Sequence, residues 1–356
     1  MKIYFRTDAS IHIGTGHVMR CLSLAKEIQR HGHDVVFVMR PQVGDLCGYT
    51  QNLGFKVLKL LKLSKPINPE SDADYQAWLQ VSISKDAKEF VSVALDADIV
   101  IVDHYGINCD WEKYVKLGLP CKLIAIDDLV RQHDVDLIVD QTHGANPNEY
   151  KSNSAVKHVL AGSKYALLNT QFSEFHNLAV KKRIINSNHK LLLSMGGVDN
   201  PNATLKVLET LSFIKTKIDT TVLLSERAPH FKSVASFCKK NEEWVKHTPF
   251  SENMAELMLQ HTIAIGAPGS TSWERACMGL PSILIPLAKN QLQICRNLVN
   301  AGCAISLSKE DIVDALKFGL EELLDNFDIM RSNSLDICDG MGCQRVVEKI
   351  NELARL

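Results

Sequence analysis

Short apolar runs alternate along the chain with longer segments whose apolar residues recur at helical spacing. In the first half, Ile3–Arg6, Asp34–Met39, Lys56–Leu60, Ile99–Asp103, Lys122–Ile126 and Leu137–Asp140 predict strands, while His17–Arg30, Asp74–Leu95 and Cys109–Leu117 predict helices. Gly32 stops the first helix, and the polar, proline-containing Leu61–Asp72 reads as a surface loop. A polar, basic stretch at Lys181–Asn188 reads as a linker. The alternation then restarts, with strands predicted at Lys190–Ser194, Thr220–Leu224, Thr262–Gly266 and Ser282–Pro286. Alternation of this kind argues for parallel sheets with helices on both faces. The expected architecture is α/β: two Rossmann-like domains facing across a cleft, over residues 1–185 and 186–356. The last helix, Cys343–Leu353, is amphipathic, and its apolar face suits packing back on the first domain.

Composition narrows the class. A length of 356 residues favours two domains, and 46% hydrophobic with 23% charged residues is ordinary for a globular protein. Net charge is −1 and no basic run is interleaved with aromatics, so no nucleic-acid partner is expected. The ten cysteines form no C-x-x-C pair and read as reduced thiols. No apolar signal core or membrane-length apolar run occurs, so the expectation is a cytoplasmic protein without a membrane partner. Three Asp-x-Asp pairs (72/74, 96/98, 134/136) fall in a loop or just before strands and read as turn charges. No metal or other cofactor is called for.

The densest chemistry lies in Arg6-Thr7-Asp8-Ala9-Ser10 and the following Gly14-Thr15-Gly16-His17. A strand ends and a helix begins here, so Gly14 and Gly16 let the backbone approach a ligand, and the free N–H groups of the helix start attract anions. The positive end of the helix dipole disfavours an imidazolium, which suits His17 to accept a proton. The alternative is a glycine turn with a capping histidine. Asp8 is a candidate to orient or charge-stabilise His17, or else a salt-bridge partner of Arg6 or Arg20. Asp103-His104-Tyr105-Gly106 ends a strand on the same sheet edge, so Tyr105 or His104 either lines the cleft beside His17 or packs structurally.

In the second half, Gly196 and Gly197 follow a strand and suit a phosphate or sugar contact or a plain turn; Asn200 is placed to cap a helix opened by Pro201. The stronger signal is Gly266-Ala267-Pro268-Gly269-Ser270-Thr271-Ser272-Trp273-Glu274-Arg275. The N–H groups of Gly269–Ser272, with the Ser270 and Thr271 hydroxyls, suit a diphosphate held without a metal. Glu274, one turn into that helix, suits the vicinal hydroxyls of a ribose, or simply the helix dipole. Asn290 and Gln291 offer two amides to sugar hydroxyls or an acetamido group, with capping by Asn290 as the alternative. The candidate binding residues are therefore Arg6, Gly14, Gly16 and Tyr105 in the first half, and Gly196, Gly197, Gly269, Ser270, Thr271, Glu274, Asn290 and Gln291 in the second.

Taken in order, R-T-D-A-S-x-x-I-G-T-G-H-V-M-R-C, D-H-Y-G-I at 103–107, G-S-K-Y-A-L-L at 162–168, G-x-x-G-S-T-x-W-E-R at 266–275 and A-x-N-Q at 288–291 closely resemble the UDP-sugar hydrolases of pseudaminic acid synthesis. That family is similar in fold to the two-domain (GT-B-like) transferase that adds N-acetylglucosamine to lipid-linked peptidoglycan precursors. The resemblance implies hydrolysis of UDP-2,4-diacetamido-2,4,6-trideoxy-β-L-altropyranose to UDP and the free sugar, with His17 as the base; attack by a water on the face of the anomeric carbon opposite UDP, and so inversion, is the expected course. It implies a second domain that holds UDP, Ser270 and Thr271 near the diphosphate and Glu274 on the ribose. The segment between Leu61 and Asp98 matches none of these motifs. Two other readings stay open: a UDP-sugar-dependent glycosyltransferase on the same scaffold, and a catalytically silent UDP-sugar-binding module.

Overall fold

The apolar runs become parallel strands in two separate sheets. In the computed structural model, which describes residues 1–71, 73–154, 156–184, 189–214 and 218–355, the chain divides into two compact units. The first comprises Met1–Thr170 with Met341–Leu356, the second Gln171–Gly340. The expected boundary at 185/186, part of the expected linker (185–188) and Asp72 of the first Asp-x-Asp pair lie outside the described residues.

The first unit holds seven strands: β1 (Lys2–Thr7), β2 (Asp34–Met39), β3 (Lys56–Lys59), β4 (Ile99–Asp103), β5 (Lys122–Ile126), β6 (Leu137–Asp140) and β7 (His158–Ala161). Their order is β3-β2-β1-β4-β5-β6-β7, with Phe5 registered against Phe37 on one side and Ile101 on the other. The two-residue period of a strand sorts this sheet's side chains into two cores. Ile3, Phe5, Val35, Phe37, Ile99 and Ile101 join the core beneath helix Gly16–Arg30, whereas Tyr4, Val36, Val38, Val100 and Val102 join the opposite one. Helix Gly342–Leu353 completes the former, burying Val346, Val347 and Ile350 against helix Gly16–Arg30.

The second unit repeats the plan with β8 (Lys190–Ser194), β9 (Asp219–Leu223), β10 (Val245–Thr248), β11 (Ile263–Gly266), β12 (Ser282–Leu284) and β13 (Ala304–Ser306), ordered β10-β9-β8-β11-β12-β13. Leu191, Leu193, Ile263 and Ile265 pack there on Val207 and Leu208 of helix Ala203–Ser212 and on Leu316 and Leu320 of helix Ile312–Asp325. In each sheet the order reverses at one place, between β1 and β4 and between β8 and β11. A crevice opens at the carboxyl ends of the strands where the order reverses, and open α/β sheets bind ligands there.

Two local expectations are corrected. The helix expected across Asp74–Leu95 is two helices, Tyr75–Leu79 and Ile83–Val93. Gln80 takes a left-handed φ of 68° and ends the first, and the Ser82 hydroxyl accepts the Lys85 N–H and starts the second. Asn200 does not cap the following helix. Asp199 does, its two carboxylate oxygens each accepting an N–H, from Ala203 and Thr204, at 2.9 Å.

Candidate active site

At the first reversal point, the loop after β1 closes on itself: Gly14 N–H donates to the Ser10 carbonyl at 2.8 Å, and Gly14 has a φ of 77°. The loop delivers Gly16 and His17 to the start of helix Gly16–Arg30. His17 is only 8% exposed, and its Nδ1 lies 2.6 Å from Oδ1 of Asp103, the last residue of β4. The carboxylate can only accept, so Nδ1–H donates and the lone pair of a neutral imidazole falls on Nε2. Arg20, one turn along the helix, donates to Asp103 from Nε at 2.6 Å and from Nη2 at 2.7 Å. Burial works against a charged Asp103, but Arg20 and His17 outweigh it and hold the carboxyl well below the usual range.

Aromatic rings enclose the imidazole. Tyr105 meets it edge-on at 4.5 Å between centroids and Trp78 at 6.5 Å, while Tyr75 packs on Trp78 at 4.8 Å and on Tyr105 at 5.0 Å. Tyr75 and Trp78 come from the segment that matched no motif. Gly106 permits their approach, because a Cβ there would stand 2.4 Å from the Tyr75 carbonyl oxygen.

Of the two roles open to Asp8, the structure shows the ion pair with Arg6 and not the contact with His17. Asp103, not Asp8, is the carboxylate on His17. Asp8 is fully buried, paired with Arg6 at 2.7 Å, accepting from the Arg40 backbone N–H at 2.7 Å and lying 3.4 Å from His104 Nε2. Burial opposes its charge, yet Arg6 and His104 hold it low. Arg6, also fully buried, turns its other face to Asp86, donating from Nη2 at 2.8 Å. Its Nε also donates to Asp86, at 3.0 Å, and its Nη1 is the atom paired with Asp8. His104 packs under the same cluster and accepts the Gly106 N–H at 3.0 Å.

At the second reversal point, β11 ends at Gly266, whose absent Cβ would stand 2.3 Å from the Ser194 carbonyl oxygen and 2.6 Å from Arg275 Nη1. The turn leads into helix Ser270–Cys277, where Gly269 N–H donates to Ser272 Oγ at 3.2 Å and Ser272 N–H to the Gly269 carbonyl at 2.9 Å. Buried Arg275 braces the turn from below, donating from Nη2 to the Ala267 carbonyl at 3.0 Å and to Ser272 Oγ at 3.1 Å. Burial lowers its pKa to about 10. Among the described residues nothing accepts the Ser270 or Thr271 N–H, as expected of the first turn of a helix. Glu274 is half-buried, and burial, partly offset by Arg275, pushes its carboxyl up to about 7. Gly196 and Gly197 are exposed at the neighbouring carboxyl end of β8, Gly196 with a φ of 87°. The two amides differ: Gln291 Oε1 accepts the Leu287 N–H at 2.7 Å and locks the turn, whereas Asn290 sits half-buried on the 3-10 turn Lys289–Gln291.

Sequence reasoning missed Asp103 as the partner of His17, and Arg20, Asp128, Tyr75 and Trp78 around it. Asp103 left a trace as an acidic residue at the end of an otherwise apolar strand, and Arg20 as a charge one turn after His17; Asp128, Tyr75 and Trp78 left none.

Residues 158–334 match the glycosyltransferase family 28 C-terminal domain. The chain is 29% identical over 262 residues to the UDP-2,4-diacetamido-2,4,6-trideoxy-β-L-altropyranose hydrolase of Campylobacter jejuni, covering 72% of this chain and 81% of that one. It is 27% identical to the protein MJ1062 of Methanocaldococcus jannaschii over 82% of this chain and 57% of that one. Among solved structures, the MurG of Acinetobacter baumannii superposes with a TM-score of 0.66 at 15% identity, over 99% of each chain. No helix among the described residues is long and apolar enough to cross a membrane. The chain thus has the two-domain GT-B-like fold and resembles the C. jejuni altropyranose hydrolase in sequence.

Proposed function

We propose that this protein acts on a nucleotide sugar and hydrolyses UDP-2,4-diacetamido-2,4,6-trideoxy-β-L-altropyranose to UDP and 2,4-diacetamido-2,4,6-trideoxy-L-altrose. The supporting observation is the His17–Asp103 pair, with Nδ1 engaged at 2.6 Å and Nε2 left to take a proton. A glycine loop with a helix start needs no such pair to bind a ligand, so the pair favours catalysis over a silent binding module. The similarity to the C. jejuni enzyme supplies the substrate.

In this reading Nε2 of His17 removes a proton from water as the water oxygen attacks the anomeric carbon. The anomeric C–O bond to the diphosphate breaks, its electron pair leaves with UDP, and configuration inverts. Asp103 holds the tautomer and stabilises the imidazolium that forms. In the second unit the N–H groups at the start of helix Ser270–Cys277 suit a diphosphate, and the Glu274 carboxylate suits the ribose hydroxyls.

The test is incubation of the protein with this UDP-sugar, a chelator and no acceptor, with NMR detection of UDP and of the anomeric configuration of the product. Free sugar formed first as the inverted anomer, and lost in His17→Asn with UDP binding retained, supports the reading; retained turnover in His17→Asn removes the base assignment. The match to the family 28 domain favours a second reading, transfer of the sugar to an acceptor. Substrate that stays intact until an acceptor is added would establish it.

A further inference from the structure

The surroundings of His17 form a closed circuit through a residue that no motif contains. Asp103 binds His17 and Arg20; Arg20 Nη1 reaches on to Asp128 Oδ2 at 2.9 Å; Asp128 Oδ1 accepts the Tyr105 hydroxyl; and the Tyr105 ring returns to the imidazole at 4.5 Å. Arg20 is 4% exposed and its Nη2 also lies 3.3 Å from His17 Nδ1, so the guanidinium charge bears directly on the ring. We infer that Asp128 is a positioning residue of the His17 site: it offsets the Arg20 charge against the imidazolium and fixes the Tyr105 ring on the imidazole. The consequence for catalysis rests on the hydrolase reading; the electrostatic link does not.

The charged and titratable groups around the ring are few enough to give the link a sign. Arg20 lies on the ring's own helix, Asp103 and Tyr105 at the end of β4, and Asp128 after β5. Arg131 stands 5.5 Å over the Tyr105 ring but is paired with Asp127 at 2.6 Å. His104 lies beneath, facing Asp8. Removing the Asp128 charge leaves Arg20 balanced by Asp103 alone, which is shared with His17. The imidazolium is then disfavoured, and His17 holds its proton less well.

Asp128→Asn tests this, since the amide oxygen still accepts from Tyr105 while the charge is lost. The titration of His17 is followed by NMR of histidine-labelled, substrate-free protein, its resonance assigned by its loss in His17→Asn. The expected result is a downward shift of about half a pH unit or more, the scale of one nearby charge at an effective dielectric near that of a protein surface. Asp128→Glu, which keeps the charge, should stay near the wild type. In turnover, the acid limb of the kcat/KM profile should move down with the titration. Should Asp128→Asn fail to fold, Asp128→Ser carries the same expectation. An unmoved titration in a folded neutral variant overturns the inference, as does an equal shift in Asp128→Glu. A shifted titration in a protein that releases no UDP leaves the inference standing and defeats the hydrolase reading instead.

Discussion

His17 and Asp103 are 86 positions apart, yet Nδ1 of one and Oδ1 of the other lie 2.6 Å apart because β1 and β4 are neighbours at the point where the first sheet reverses its order. The helix that follows β1 and the last residue of β4 meet there as a consequence of topology, with no local motif bringing them together.

Asp103→Asn should therefore reverse the hydrogen-bond demand on Nδ1 and leave the wrong tautomer at Nε2. Under the proposed mechanism kcat should fall by roughly 10³–10⁴ with KM little changed. Steady-state kinetics on the UDP-sugar check this, and a fall in KM affinity without a fall in kcat would contradict it.

Gly266→Ala should destabilise the second unit by about 1–3 kcal/mol, because the new methyl meets the Ser194 carbonyl oxygen at 2.3 Å and Arg275 at 2.6 Å, and β8 and β11 cannot part without breaking the ladder. Denaturant unfolding measures the loss. Under the proposed function, UDP affinity, read by calorimetry, should fall with it, since the displaced segment is the turn that opens helix Ser270–Cys277.

His133 lies between Glu112, 2.7 Å from Nδ1, and Asp127, 3.5 Å from Nε2; burial opposes its charge, but the two carboxylates raise it to about 9 from an ordinary 6.5. The native state thus binds the extra proton. The stabilisation is fully present below about pH 6.5 and is lost as pH rises through about 9. Thermal melts of the intact chain between pH 6 and 10 should show this decline in the first unit, and His133→Gln should flatten it while lowering stability at pH 6.

Glu274 gives a slope of similar sign from an opposite cause. Burial raises its carboxyl to about 7 from 4.5, so the folded second unit keeps a proton that the unfolded chain has lost, and its stability falls as pH rises across that interval. Glu274→Gln should remove the slope and stabilise the unit at pH 8. Under the proposed function it should also weaken UDP binding at pH 8, when the wild-type carboxylate is charged and able to accept both ribose hydroxyls.

The interior of each sheet was legible from sequence because those strands are buried on both faces and read as continuous apolar runs: Ile99–Asp103, Lys122–Ile126 and Leu137–Asp140 fall where periodicity puts them. The strands it misses, β7, β10 and β13, are all at sheet edges. Each is short, and β10 reads Val-Lys-His-Thr with only Val245 buried, so one-sided contact left too weak a pattern. The two glycine turns were legible because each joins an apolar run to a helix. The partners of those turns were not. Arg20 and Asp128 look like ordinary charges on a helix and in a loop, and only the alignment of β1, β4 and β5 gives them a common neighbour. Asp199 illustrates a smaller failure: it and Asn200 are adjacent polar residues ahead of one helix, and backbone geometry brings the Asp199 carboxylate to the Ala203 and Thr204 N–H groups.

The return of the chain to its first unit at Met341 has a bearing on how the protein is made. Val346, Val347 and Ile350 complete the core that helix Gly16–Arg30 begins to cover, so one face of the sheet assembled from residues 2–161 lacks part of its cover until residue 350 has been made. The intervening unit, synthesised without interruption, has all its core residues in hand earlier. Order of completion then runs against order of translation: the half begun first closes last, and until it does, part of the apolar face beneath helix Gly16–Arg30 stays uncovered.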